Sequence, residues 1–277
     1  MVHAVKKRCY ALLCAYDGSN FAGFQRQPPL QTVQGVLEDA LAGLGIRTRV
    51  EGAGRTDRGV HACRHVVAFR TADPVDPENL PGRLQPLLPT GLAVLGCRLV
   101  PWSFHPRYSA RQKVYRYRVT VSTVPDEWAQ THAWVLPDPR GFPGLAPPVH
   151  LDRAAIERAL ELCTGVHDFA LLAHPSARGK TVRRLSEASL RIFERGGEPL
   201  FEFTFRSPGF LRHQIRNLVG MTVSFGLGLV DEAEVLRLLS GEGERWLGAR
   251  APGRGLTFLE AEYPPELDPF PAPQPVG

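Results

Sequence analysis

One carboxylate, Asp57, stands between Arg55 and Arg58 in the glycine-rich stretch Glu51–Cys63, EGAGRTDRGVHAC. A carboxylate held by a guanidinium has its pKa lowered and stays ionised at neutral pH. Such a group can act as a base, a nucleophile or an electrostatic partner. Glycines at 52, 54 and 59 permit unusual backbone angles and let another backbone come close. The same residues also suit a tight hairpin turn carrying a surface ion pair, which is worth little. Residue types alone leave both readings open.

Three neighbouring signals fail on spacing. GAGRTDRG lacks the third glycine of a dinucleotide loop. Gly179-Lys180-Thr181 imitates the end of a phosphate-binding loop, but His174 stands where the upstream glycine is required. His61, Cys63 and His65 would share one strand face and offer zinc ligands, yet no fourth ligand lies nearby, so no metal is expected.

The basic residues are more informative. Arg212 and Arg216, in GFLRHQIRNLVG, lie one helical turn apart on one face. Nine arginines or lysines but only four acids fall between Arg178 and Arg216. A second strip, HPRYSARQKVYRYR, interleaves Tyr108, Tyr115 and Tyr117 with Arg107, Arg111, Lys113, Arg116 and Arg118. Cations meet phosphates and rings stack on unpaired bases, so this pattern suits a nucleic-acid surface. Tyr115 and Tyr117 point the same way on a strand, and either also fits a core.

Composition sets the frame for these groups. The chain has 277 residues, a net charge of +5 and 43% hydrophobic content, which suits one large or two small soluble domains. Five scattered cysteines without a C-x-x-C pair argue against a disulfide framework or a thiolate zinc site. No apolar run is long enough to span a membrane and no signal-peptide pattern opens the chain, so a cytoplasmic protein is expected.

Two similar halves must position the loop and the arginines. The first runs through a strand at Cys9–Tyr16, a helix near Thr32–Leu44 with Thr32 as cap, and strand-like RTRVEGAG. It continues with a strand at His65–Thr71, a short proline-marked helix, and a strand at Leu92–Val100. The second has a strand at Lys113–Val121, a helix capped by Asp152, and strands near Val182–Phe193 and Leu200–Arg206. Helices at Phe210–Phe225 and Asp231–Leu239 and a final strand, LTFLEAEY, complete it. Both approximate β-α-β-β-α-β. The expected divisions are 1–106, 107–264 with a Pro-rich exposed insertion at 137–149, and an extended or disordered Pro-rich tail at 265–277.

The order of motifs adds a resemblance. GRTDRGVHA (Gly54–Ala62) resembles the catalytic motif of the TruA family of tRNA pseudouridine synthases. YDGSNFAGFQRQ, TVQGVLEDAL, FHPRYSARQKVYRY, GVHDF, FLRHQIRNLVG and APGRGLTFLEAEYP match that family in order, covering the chain from about Cys9 to Pro264. The resemblance implies an α+β fold of two ferredoxin-like halves whose mostly antiparallel sheets join, with an RNA-binding cleft between them. It implies a homodimer acting on the anticodon stem-loop of tRNA, at uridines conventionally numbered 38 to 40, with no metal or organic cofactor.

By the same resemblance Asp57 is the catalytic residue, and Arg216 the arginine that keeps it ionised and aimed. Tyr115 matches the tyrosine that stacks on the target base and can help remove its C5 proton. Arg55 matches the residue that assists extrusion of the nucleotide, because a base within a stem must leave its stack to react. Leu256 falls at the apolar wall of the pocket, and Arg212 joins the substrate contacts. Three routes stay open for Asp57: attack on C1′, addition to the ring, or removal of a ribose proton to give a glycal. Gln214 departs from the family, which has methionine more often there. The competing reading is a catalytically silent tRNA-binding or tRNA-folding protein; a phosphotransferase based on Gly179-Lys180-Thr181 ranks behind it.

Overall fold

The computed structural model describes residues 7–177 and 179–271. The chain forms two compact units. One contains the chain up to Lys113 together with the stretch from Phe258 onward, and the other is Val114–Thr257. The fold is mixed α+β. Every pairing with a described register is antiparallel except one.

The first unit follows the order β1 (Arg8–Tyr16), α1 (Val33–Gly43), β2 (Val50–Gly52), β3 (His61–Thr71), α2 (Leu80–Leu84), β4 (Leu92–Val100). β1 lies between β3 and β4, with Leu12 opposite Val67 on one side and Cys97 on the other. Cys9–Leu13 is buried throughout, so both faces of β1 are covered there; a strand with one face in water would show alternate exposed side chains. β2 is only three residues long and pairs Val50–Gly52 with Val67–Phe69 of β3. Thr32 caps α1 by accepting the Gly35 N–H, a contact worth about 1 kcal/mol. Val33, Leu37, Ala40 and Leu41 of α1 are buried, while Val36 and Leu44 are only half-buried. Buried Glu38 is satisfied by the Val50 N–H at 3.1 Å and by Arg26 at 3.1 Å.

The second unit opens with β5 (Gln112–Val121), on which β6 (Trp134–Leu136) pairs in parallel after α3 (Glu127–His132). α4 (Arg153–Cys163) is capped by Asp152 and buries Ile156, Ala159, Leu160 and Cys163. β7 (Gly165–Asp168) and β8 (Val182–Leu185) make a separate two-stranded ladder. β9 (Glu187–Arg195) and β10 (Glu198–Ser207) form a hairpin next to β5, with β9 at the edge. α5 (Gln214–Gly226) and α6 (Glu232–Ser240) follow, and β11 (Leu256–Glu262) begins in this unit and ends in the first.

Several elements depart from the sequence expectation, each for a local reason. β3 begins at His61, so the strand starts directly after the Asp57 loop. α5 begins at Gln214 rather than Phe210, because His213 adopts a left-handed backbone with φ 64° and ends the irregular approach there. α5 is also buried almost all round, which rules out a solvated basic face. α3, β6 and β7 were not expected; they are short, and their signal is diluted by prolines and polar residues. The 137–149 stretch is anchored rather than simply exposed. Buried Phe142 stacks on Trp134 at 5.4 Å, and buried Asp138 accepts the Trp134 Nε1–H at 2.9 Å.

The start of the Pro-rich tail is ordered against the first unit. The Phe270 carbonyl accepts from Arg64 Nη2 at 2.6 Å, and Arg98 lies over the Phe270 ring. A Cβ on Gly96 would meet that ring at 3.1 Å, so the glycine makes room for it. The remainder of the tail lies outside the described residues. No helix among the described residues is long and apolar enough to cross a membrane.

Candidate active site

The Asp57 loop joins β2 to β3 and is tied down at both ends. Ala53 N–H donates to the Val66 carbonyl at 2.9 Å, and Val60 N–H closes the turn on the Asp57 carbonyl at 3.2 Å. Gly59 supplies the left-handed residue of that turn, with φ 79°. Asp57 itself is half-buried, whereas Arg55 and Arg58 are exposed.

The segment Asp17–Leu30 packs directly on this loop. Phe24 N–H donates to the Thr56 carbonyl at 3.0 Å, and Gly18 N–H donates to His61 Nδ1 at 3.1 Å. A side chain on Gly23 would meet the Thr56 carbonyl oxygen at 2.8 Å, and one on Gly18 would strike the Val60 carbonyl. The space beside Gly52 holds the Phe24 ring, 2.6 Å from where a Cβ would sit. These glycines therefore serve protein–protein packing around the carboxylate. At Gly52 the close neighbour is a side-chain ring rather than another backbone.

His61, Cys63 and His65 do not behave as a ligand set. His65 is fully buried, and both ring nitrogens are engaged: Nδ1 with the Tyr16 hydroxyl at 3.0 Å and Nε2 with the Gly54 N–H at 3.4 Å. Cys63, by contrast, is exposed. Burial, aided by the Lys113 charge, pushes the His65 imidazole down to about 3, so it is neutral.

The second unit carries the other candidates. Tyr115, on β5, is nearly buried and meets Phe210 edge-on at 5.2 Å. Tyr117 is the core member of the pair: it is fully buried, and its hydroxyl donates to the Pro252 carbonyl at 2.7 Å. Arg216 sits half-buried in the first turn of α5 and donates its Nε–H to the Ala251 carbonyl at 2.7 Å. Gly220 lets the helix lie against that segment, since a Cβ there would clash with the Ala249 carbonyl. Leu256, nearly buried, opens β11 at the end of the same 251–256 stretch. Phe210 thus meets Tyr115, and Ala251 holds Arg216. Arg212 is exposed, and its carbonyl accepts the His174 N–H at 2.8 Å.

The tyrosine-rich basic strip is divided by the fold. Arg116 and Arg118 both lie against Glu202, at 3.5 and 2.9 Å. Lys113 is buried, and its ammonium is pushed down to about 8 by burial, with Arg107 adding to the effect. Arg107, Tyr108 and Arg111 remain exposed, with Arg107 over the Tyr108 ring. They are the part of the strip suited to a phosphate backbone. Gln214 is fully buried. Its side-chain carbonyl accepts the Leu211 N–H at 2.8 Å and so braces the turn before α5.

Sequence reasoning gave no site role to Tyr16, Thr56 or His65, which are hydrogen-bonded to one another at the Asp57 loop. Tyr16 and His65 read as strand ends, Tyr16 also within a matching motif and His65 also as a discarded metal ligand.

Comparison with known proteins shows the family. The family model described as tRNA pseudouridine synthase matches residues 13–109 and 159–264. The chain is 38% identical over 256 residues to tRNA pseudouridine synthase A of Thermus thermophilus, covering 92% of this chain and 96% of that one. It is 36% identical over 258 residues to the same-named protein of Roseiflexus sp., covering 93% and 91%. With that of Halalkalibacterium halodurans it shares 36% over 247 residues, covering 88% and 89%.

Proposed function

Since the chain belongs to the tRNA pseudouridine synthase family and isomerises uridine to pseudouridine in tRNA, we propose that Asp57 is its catalytic carboxylate. We propose further that its targets are the uridines numbered 38 to 40 of the anticodon stem-loop. The reaction breaks the N1–C1′ bond, turns the base and forms a C5–C1′ bond. The C5 proton is lost and N1 gains one, so no atom is added overall. Glycoside hydrolysis recruits two carboxylates, one to protonate the leaving group and one to attack or activate water. A leaving group that stays bound needs no water, and a single carboxylate suffices.

The observation that carries this reading is the placement of Asp57. It is half-buried, on a loop fastened to β3 and to the Asp17–Leu30 segment, with exposed Arg55 two residues away. A surface turn would not require such fastening. Arg55 is assigned to nucleotide extrusion, which a base paired in a stem requires. Tyr115 is assigned to stacking and C5 proton removal, Arg216 to pairing with the carboxylate and aiming it, and Leu256 to the apolar wall. Arg212, Arg107 and Arg111 are exposed cations suited to phosphates. The motif match supports these roles, a ferredoxin-like plan for each half, and action as a cytoplasmic homodimer.

The test is to incubate unmodified tRNA with wild type and with Asp57→Ala and to measure pseudouridine at each position. The variant should bind tRNA and form no product, and wild type should modify only positions 38 to 40. Product from Asp57→Ala at the wild-type rate would remove the catalytic assignment, and product elsewhere in the tRNA would remove the positional one.

A further inference from the structure

Beneath the Asp57 loop, three side chains distant in sequence form a continuous chain. The Tyr16 hydroxyl lies 2.9 Å from Thr56 Oγ1 and 3.0 Å from His65 Nδ1, and both contacts are buried. The far side of the imidazole is closed by the Gly54 N–H, 3.4 Å from Nε2. A backbone N–H can only donate, so Nε2 accepts. In a neutral imidazole the other nitrogen then carries the proton. His65 Nδ1–H therefore donates to the Tyr16 oxygen, and the hydroxyls of Tyr16 and Thr56 are joined by the next hydrogen bond.

We propose that Tyr16 is a positioning residue for the isomerisation, acting with neutral His65 to fix Thr56 and, through it, the adjoining Asp57. Thr56 is gripped twice, at its hydroxyl by Tyr16 and at its carbonyl by the Phe24 N–H at 3.0 Å. With residue 56 immobile, the peptide that leads into Asp57 has a fixed start, and the carboxylate is aimed before substrate arrives. Preorganisation of this kind contributes to rate through geometry, without contact to the reacting atoms. Packing supports the chain: fully buried His65 lies against the Phe24 and Phe258 rings, each 4.8 Å away. The proposal rests on the reading of Asp57 as the catalytic carboxylate.

The experiment combines kinetics with a measurement independent of activity. Tyr16→Phe keeps the ring and removes only the hydroxyl. It should lower kcat by roughly tenfold to a hundredfold, the scale of a small misplacement of a reacting group, with KM for tRNA within about twofold of wild type. Thr56→Val, which lacks the hydroxyl, should show the same loss, and Thr56→Ser, which retains it, should recover most of kcat. In parallel, long-range proton–nitrogen NMR of histidine-labelled wild-type protein should show His65 neutral, with its proton on Nδ1, from pH 5 to 8. Unchanged kcat in both Tyr16→Phe and Thr56→Val, or a His65 proton found on Nε2, would overturn the proposal. The NMR result does not depend on turnover, so failure of the Asp57 assignment would be recognised separately, by product from Asp57→Ala.

Discussion

Arg216 and Ala251 hold each other through two hydrogen bonds. The Arg216 Nε–H donates to the Ala251 carbonyl at 2.7 Å, and the Ala251 N–H donates to the Arg216 carbonyl at 3.1 Å. The first bond fixes the plane of the guanidinium, and the second fixes the helix turn that carries it. A planar fork so oriented is suited to two-point recognition of a carboxylate or phosphate, and a lysine is not its equivalent. Arg216→Lys keeps the charge and loses both the Nε contact and the fork. We expect pseudouridine formation to fall about a hundredfold, the scale for losing a preorganised donor, with thermal unfolding little changed. Turnover close to wild type in a single-turnover assay would show that charge alone is enough at this position.

Gly23 offers a test of how the Asp57 loop is fastened. Its φ of 100° already disfavours any side chain, and a Cβ would also press on the Thr56 carbonyl at 2.8 Å. Gly45 has a similar φ of 85° with nothing within 4 Å of the corresponding position. Gly45→Ala should therefore cost only backbone strain, about 1 kcal/mol, and leave turnover intact. Gly23→Ala should cost more and also depress kcat, because the clash falls on the residue preceding the carboxylate. Equal stability losses and equal turnover in the two variants, measured by urea unfolding and tRNA assay, would show that the close approach has no consequence.

The parts of the site legible in sequence were those whose chemistry is local. Asp57 drew notice as a carboxylate between arginines in a glycine-rich loop, and only its ordered companion motifs imply a role for it. β1, α1, β4 and α4 could be read because their apolar spacing or capping residues lie within one element. Tyr16, Thr56 and His65 could not, since their contacts span 40 and 49 residues and each residue type is ordinary alone. The basic strip misled for a related reason. Alternation places Arg116 and Arg118 on one strand face, but Glu202, their partner there, belongs to a strand far along the chain. The start of α5 depended on the left-handed backbone of His213, a conformation that histidine adopts far less readily than glycine.

Lys113 gives a prediction in pH rather than activity. Read along the strip it looked like a phosphate contact, but it is buried, and burial pushes its ammonium from 10.5 down to about 8. In the unfolded chain it titrates near 10.5, so between pH 8 and 10.5 the unfolded state binds more protons. Stability attributable to this residue must then rise with pH across that window. Below pH 8 the lysine is charged in both states, and the folded protein bears the full cost of burying it. The interval corresponds to about 3 kcal/mol. Lys113→Met, which keeps the length and loses the charge, should be more stable than wild type at pH 7 by up to that amount. Its advantage should shrink steadily from pH 8 and disappear near pH 10.5. Urea unfolding of both proteins at pH 7 and pH 10.5 checks this, and an advantage that does not change with pH would mean that packing, not charge burial, separates them.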